Sequence, residues 1–126
     1  MNLELQMDIT NRVIAFNQKH PMARLLIEAQ EENRWVVHLE GELELHSSTD
    51  AQSILEILIG EMPSRSTLVC NLEKLFYISS TGVGLFANLV VTANKRGITV
   101  ILRTIQPKVE QVFSLLGILS YFTIEK

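Results

Sequence analysis

From residue 25 to residue 124, short apolar runs of strand length alternate with stretches whose apolar residues recur at helical spacing. A chain patterned this way folds as a sheet with helices packed on it, because each run and each stripe needs the other to exclude water. Residues 25–29 and 35–39 flank the polar turn Gln30-Glu31-Glu32-Asn33, as in a hairpin. Ser47-Ser48-Thr49-Asp50 offers capping groups ahead of Ala51, Ile54, Leu55 and Leu58, which predicts a helix stopping near Gly60. Residues 68–72 read as a buried strand. Residues 81–96 read as a helix with Val83, Phe86, Leu89, Val90 and Ala93 on one stripe, ended by Gly97. Residues 98–102 form a β-branched strand, and Pro107 opens a third helix with Val109, Val112, Phe113 and Leu116 on its apolar face and Gly117 at its end. Residues 121–124 complete the pattern as a last strand.

Residues 1–22 read as an N-terminal extension to a domain of residues 23–126. Leu3, Leu5, Met7 and Ile9 alternate as a strand would, whereas Leu5, Ile9, Val13 and Phe16 share a helical face. The favoured reading is a helix from about Asp8, packed on the flank of the domain.

A chain of 126 residues suits one domain able to bury a core without a disulfide or metal staple, and its one cysteine, Cys70, cannot bridge internally. Eleven basic and 14 acidic side chains give a net charge of −3, which lacks the cationic excess of a general nucleic-acid binder. No apolar run approaches the roughly 18 residues of a membrane span. The acid-bearing opening is unlike a secretory signal, so the cytoplasm is the expected compartment.

Chemistry concentrates in Tyr77-Ile78-Ser79-Ser80-Thr81-Gly82-Val83-Gly84, where three hydroxyls meet two glycines at a helix start. Amides there are unpaired and the helix dipole is positive, so an anion on one of these side chains meets donors already aimed at it. A plain capping role for the hydroxyls, Thr81 foremost, coexists with that reading. The run from Gly82 to Ala87 matches G-x-G-x-x-A in form only. Eight residues separate Leu72 from Thr81, and no Asp or Glu lies between Lys74 and Val109 to hold a ribose. Gly82 is read instead as a close-packing glycine. Ser80 lacks the G-x-S-x-G frame, and His20, His38 and His46 all precede it, so a hydrolase triad is not indicated. No metal-ligand spacing occurs, and Glu40, Glu42 and Glu44 are expected along one solvent-facing strand side. No catalytic residue, metal or cofactor is expected.

Residues 68–84, Leu-Val-Cys-Asn-Leu-Glu-Lys-Leu-Phe-Tyr-Ile-Ser-Ser-Thr-Gly-Val-Gly, closely resemble the core motif of STAS domains, specifically bacterial anti-sigma-factor antagonists. Gly41-Glu42-Leu43-Glu44 is similar to the family's GELD, and the segments around Pro107 and Leu116-Gly117-Ile118 are similar to its downstream motifs. The resemblance implies an α/β fold, a mixed β-sheet flanked by helices, and a partner-switching role without catalysis. It implies that the unphosphorylated chain binds an anti-sigma factor that is also a serine-protein kinase using ATP, that phosphorylation breaks the complex, and that a PP2C-type phosphatase restores it. The family's phosphoacceptor, two before the loop glycine, falls on Ser80, with Ser79 and Thr81 as the other candidate hydroxyls.

Two residues depart from the family pattern: Ser79 stands for the usual Asp before the acceptor, and Glu44 for the Asp of GELD. Ser79, Thr81, Gly82, Glu44, Leu85 and Asn88 are the expected partner-binding residues. Leu85 and Val91 are expected to fall off the core stripe, beside Asn88, Thr92 and Lys95 on the outer face. The alternative from the same resemblance is a constitutive scaffold subunit, of a stressosome-like assembly or a lipid-transport ATPase, in which Ser80 is never modified. Charge is also segregated: residues 28–61 carry −8 and residues 74–109 carry +5. A phosphate on Ser80 is thus expected to arrive among basic residues.

Overall fold

A computed structural model describes residues 2–126. Helix α1 (Leu3–Lys19) precedes the hairpin β1 (Ala23–Glu31) and β2 (Arg34–Leu43). Then follow α2 (Leu45–Glu61), β3 (Thr67–Asn71), β4 (Leu75–Ile78), α3 (Ser80–Lys95), β5 (Thr99–Arg103), α4 (Pro107–Leu115) and β6 (Thr123–Glu125). The sheet runs β1-β2-β3-β5-β6, with β4 on the far part of β2. Among the described residues only the hairpin is antiparallel; every later pair is parallel, as crossovers through helices require. The α/β architecture with a mixed sheet and flanking helices agrees with expectation.

One core joins all layers. Trp35, Val37 and Leu39 of β2, Leu68 and Cys70 of β3 and Val100 and Leu102 of β5 alternate into it, against Leu55 and Leu58 of α2 and Phe86 and Leu89 of α3. Ile9 and Phe16 of α1 belong to the same cluster. Phe86, Phe113 and Phe122 close its far end, with ring centroids 5.4–6.5 Å apart.

Several boundaries differ from the sequence reading, each for a local reason. α1 begins at Leu3 rather than near Asp8, because the Asn2 side chain accepts from the Leu5 N–H at 2.8 Å and caps the helix earlier. α2 is capped by Glu44, three residues before the expected hydroxyl run. It passes through Gly60 to Glu61, where Met62 adopts an extended conformation ahead of Pro63. The four-residue β4 is an additional strand between the expected strand at 68–72 and the expected helix at 81–96. Leu116 is exposed at the C-cap of α4, not on its apolar face. The last strand starts at Thr123 after a 3₁₀ turn, Leu119–Tyr121.

Gly41 makes the switch from β3 to β4 possible. Its φ is +82°, its N–H donates to the Lys74 carbonyl at 2.8 Å, and a Cβ there would overlap the Met22 carbonyl. β2 therefore continues past β3 and receives β4 at Gly41, Glu42 and Leu43.

Candidate functional site

β2 and β4 leave the sheet side by side, with Leu43 opposite Ile78, and each turns directly into a helix. The starts of α2 and α3 are thus neighbours. The Ser79 N–H donates to the Leu43 carbonyl at 2.8 Å and locks the two exits together.

Both starts carry their own caps. Glu44 accepts from the N–H groups of Ser47 (2.7 Å) and His46 (3.1 Å), and the Ser47 hydroxyl accepts from the Glu44 N–H at 3.0 Å. These backbone donors, Ser47 first, hold the Glu44 carboxyl below its ordinary value. At α3, Ser79 sits in extended conformation and its Oγ accepts from the Gly82 N–H at 3.2 Å. Ser79, not Thr81, is the cap; Thr81 is already inside the helix and half-buried.

Capping by Ser79 leaves Ser80 uncommitted. Ser80 is the first residue of α3, its side chain is exposed, and among the described residues its hydroxyl has no hydrogen-bond partner. The amides of Ser80 and Thr81 also lie ahead of the helical ladder, where a helix start binds anions. Gly82 is buried beneath them: a Cβ there would come within 2.5 Å of Ile78 Cγ1 and 3.2 Å of the buried Ser48 Oγ.

Leu85 does not belong to this surface. It is fully buried, because α3 packs on α2 as well as on the sheet and needs a wider apolar face than one stripe. Asn88, Val91 and Lys95 are exposed and Thr92 half-exposed, so the outer ridge ascends from Ser80 through Gly84, Asn88 and Val91. A Cβ at Gly84 would meet nothing within 4 Å, so this ridge is bare there.

Lys95, Arg96 and Arg103 of segment 74–109 are placed or engaged away from Ser80. Lys95 and Arg96 lie at the other end of α3, about 22 Å away at 1.5 Å per residue. Arg96 donates to the Met62 carbonyl at 3.0 Å, and Arg103 pairs with Glu125 at 2.8 Å. Charge segregated along a chain need not be segregated in space, since a helix carries its last turn away from its first. Glu44, next to Leu43 across the paired exits, brings a carboxylate to the neighbourhood of the loop.

Sequence reasoning missed the exposed apolar residues on the elements that lead into the site. Phe76 and Tyr77 are 63% and 51% exposed on β4, and Leu45 is 55% exposed at the start of α2. The signal was present in Leu75-Phe76-Tyr77-Ile78, a run of strand-favouring residues.

Comparison with protein families matches residues 26–126 to the STAS domain. Among solved structures, the anti-sigma factor antagonist SpoIIAA in its unphosphorylated form is 24% identical, with 81% of this chain and 88% of that chain covered and a TM-score of 0.68. The Bacillus cell fate determinant SpoIIAA in the phosphorylated form gives 23% identity, 81% and 91% coverage and 0.65. The SulP transporter STAS domain from Vibrio cholerae gives 17% identity, 92% and 87% coverage and 0.61. With its β2–α2 and β4–α3 exits paired around a serine loop and the match running from β1 to the C-terminus, this chain belongs to the STAS domain family.

Proposed function

We propose that the chain is an anti-sigma-factor antagonist in a cytoplasmic partner-switching pathway, with Ser80 as its phosphoacceptor. The unphosphorylated chain binds an anti-sigma factor that is also a serine-protein kinase and releases that protein's client. Phosphorylation breaks the complex, and a PP2C-type phosphatase restores it. One observation carries this reading: Ser80 is exposed and unengaged at the first turn of α3 while Ser79 takes the cap. A kinase can reach the hydroxyl without unwinding the helix. Ser79, Thr81, Glu44 and Asn88 surround or follow it as contact residues, joined by exposed Leu45, Phe76 and Tyr77, whereas the expected contact Gly82 is buried and supports the loop from beneath.

The switch follows from electrostatics. A phosphoserine adds about −1.5 to −2 charges at pH 7, which helix amides tolerate. A partner packed on the same loop has to desolvate that charge beside Glu44, and a penalty of about 3–4 kcal/mol lowers affinity roughly 10²- to 10³-fold. SpoIIAA matches this chain with similar TM-scores in its unphosphorylated and phosphorylated forms, which supports a switch that works without refolding.

A second reading, a constitutive STAS scaffold, draws on the likeness to the SulP transporter domain and on Ser79 in place of the family's Asp. Phosphate-affinity electrophoresis of the protein from its own cells separates the two. The switch requires a slower band that Ser80→Ala abolishes and Ser79→Ala retains; a single band across growth conditions favours the scaffold.

A further inference from the structure

Strand β1 is the end of the sheet; at the start of its outer edge the Ala23 N–H donates to the His20 carbonyl at 3.1 Å, and α1 meets the next rung. There the Asn17 amide stands in for a neighbouring strand. Its Nδ2 donates to the Leu25 carbonyl at 2.9 Å, and its Oδ1 accepts from the Leu25 N–H at 2.8 Å. Strand geometry repeats every second residue, so the next outward-facing backbone groups are those of Ile27 and Ala29. Among the described residues, no strand or side chain pairs with them.

Beyond Asn17 the helix and the strand diverge into a groove of about 690 Å³. Ile14 and Val13 of α1 form one wall, Ile27 and Ala29 of β1 the other, and Trp35 and Leu58 the floor. At the open end the hairpin turn brings Glu31 and Glu32 to the lip, and both are exposed. The groove thus combines an unfilled backbone ladder, an apolar floor and an anionic rim.

We propose that this groove binds an extended segment of a partner protein by β-addition, the segment alternating apolar residues and carrying Lys or Arg where it passes Glu31 and Glu32. Its backbone continues the ladder that Asn17 begins, its alternate side chains enter the apolar floor, and its cation meets the rim. A second copy of this chain fits worse. Antiparallel self-pairing across Ala29 sets Glu31 opposite Ile27 and Glu28 opposite Gln30, crowding acidic side chains of both copies onto one short ladder. The site lies on α1 and β1, apart from the Ser80 loop, so it adds a contact independent of phosphorylation.

The test selects a phage-displayed library of random peptides on the immobilised chain and measures the enriched sequences as synthetic peptides by fluorescence anisotropy. Ala29→Pro removes an outward N–H without touching the bonds to β2, and proline is tolerated at such an edge position. Enriched peptides should alternate apolar residues, carry Lys or Arg, and bind Ala29→Pro and the Glu31→Lys/Glu32→Lys variant at least about tenfold more weakly. If Ala29→Pro fails to fold by circular dichroism, hydrogen exchange of the parent chain replaces it, with the Ile27 and Ala29 amides slowed by the peptide. Enrichment of nothing, peptides that bind the variants as tightly as the parent, or exchange at these amides left unchanged overturns the proposal. A dimer of the chain alone that Ala29→Pro dissociates also overturns it, because the edge then belongs to a second copy.

Discussion

At Gly82 and Gly84, two residues apart on α3, identical substitutions have opposite expected effects. Alanine favours a helix over glycine by about 1 kcal/mol where nothing else intervenes. At Gly84 nothing does, so Gly84→Ala should raise Tm by a few degrees. At Gly82 the new methyl meets Ile78 Cγ1 at 2.5 Å and Ser48 Oγ at 3.2 Å inside the α2–α3 contact. Overpacking of that kind costs about 1–3 kcal/mol and outweighs the propensity gain, so Gly82→Ala should lower Tm. A calorimetric scan of both variants tests this, and a Gly82→Ala scan at or above the parent would show that the helix shifts freely. Cys70 gives a second residue-scale prediction. It is fully buried and its thiol is pushed up to about 12 by desolvation, so the native chain should resist iodoacetamide at pH 8 and react once unfolded in urea. Sequence identified the Ser80 loop, because a run of hydroxyls before a glycine is a local pattern. It put the cap foremost on Thr81 rather than Ser79, because that choice depends on which residue keeps extended backbone when β4 becomes α3.

At the scale of elements, α1 is fastened to α2 by side chains distant in sequence. Asp50 Oδ2 lies 2.7 Å from His20 Nε2 and 3.0 Å from Lys19 Nζ. These two partners, His20 first, hold the Asp50 carboxyl below its ordinary 3.8, and the backbone donors at Glu44 act likewise on a carboxyl ordinarily at 4.5. A carboxyl lowered by folding adds stability that is present above its unfolded value and lost as pH falls through its folded value. Stability should therefore decline below about pH 4.5 from these two groups. Asp50 is partly solvent-exposed, so its share is modest. In Asp50→Asn, urea midpoints measured from pH 7 to pH 2.5 should start lower than the parent's and converge toward it in acid; parallel curves would assign the acid sensitivity elsewhere. None of this was readable from spacing, since His20 and Asp50 lie 30 positions apart. The helices and most strands were readable, because amphipathic period and glycine stops are local. β4 and the burial of Leu85 were not, since each depends on a second neighbour: β2 for the strand and α2 for the helix.

For the whole molecule, the question is whether α1, which precedes the family match at residue 26, folds with the rest or apart from it. Ile9 and Phe16 are 5% and 3% exposed within the common core, and Asn17 completes the edge of β1. Removing a buried phenyl ring costs about 3–5 kcal/mol, so Phe16→Ala should destabilise the entire domain rather than free one helix. Trp35, the only tryptophan, reports on this directly, because it lines the groove between α1 and β1 and is nearly buried. Its fluorescence and the far-ultraviolet circular dichroism should trace one coincident urea transition in the parent. In Phe16→Ala both should move together to lower urea, with the slope unchanged, because the same surface is exposed in one step. An early fluorescence change that leaves most of the helical signal in place would mean that α1 undocks by itself. The groove would then be a transient gap between two folding units rather than a fixed feature of one core.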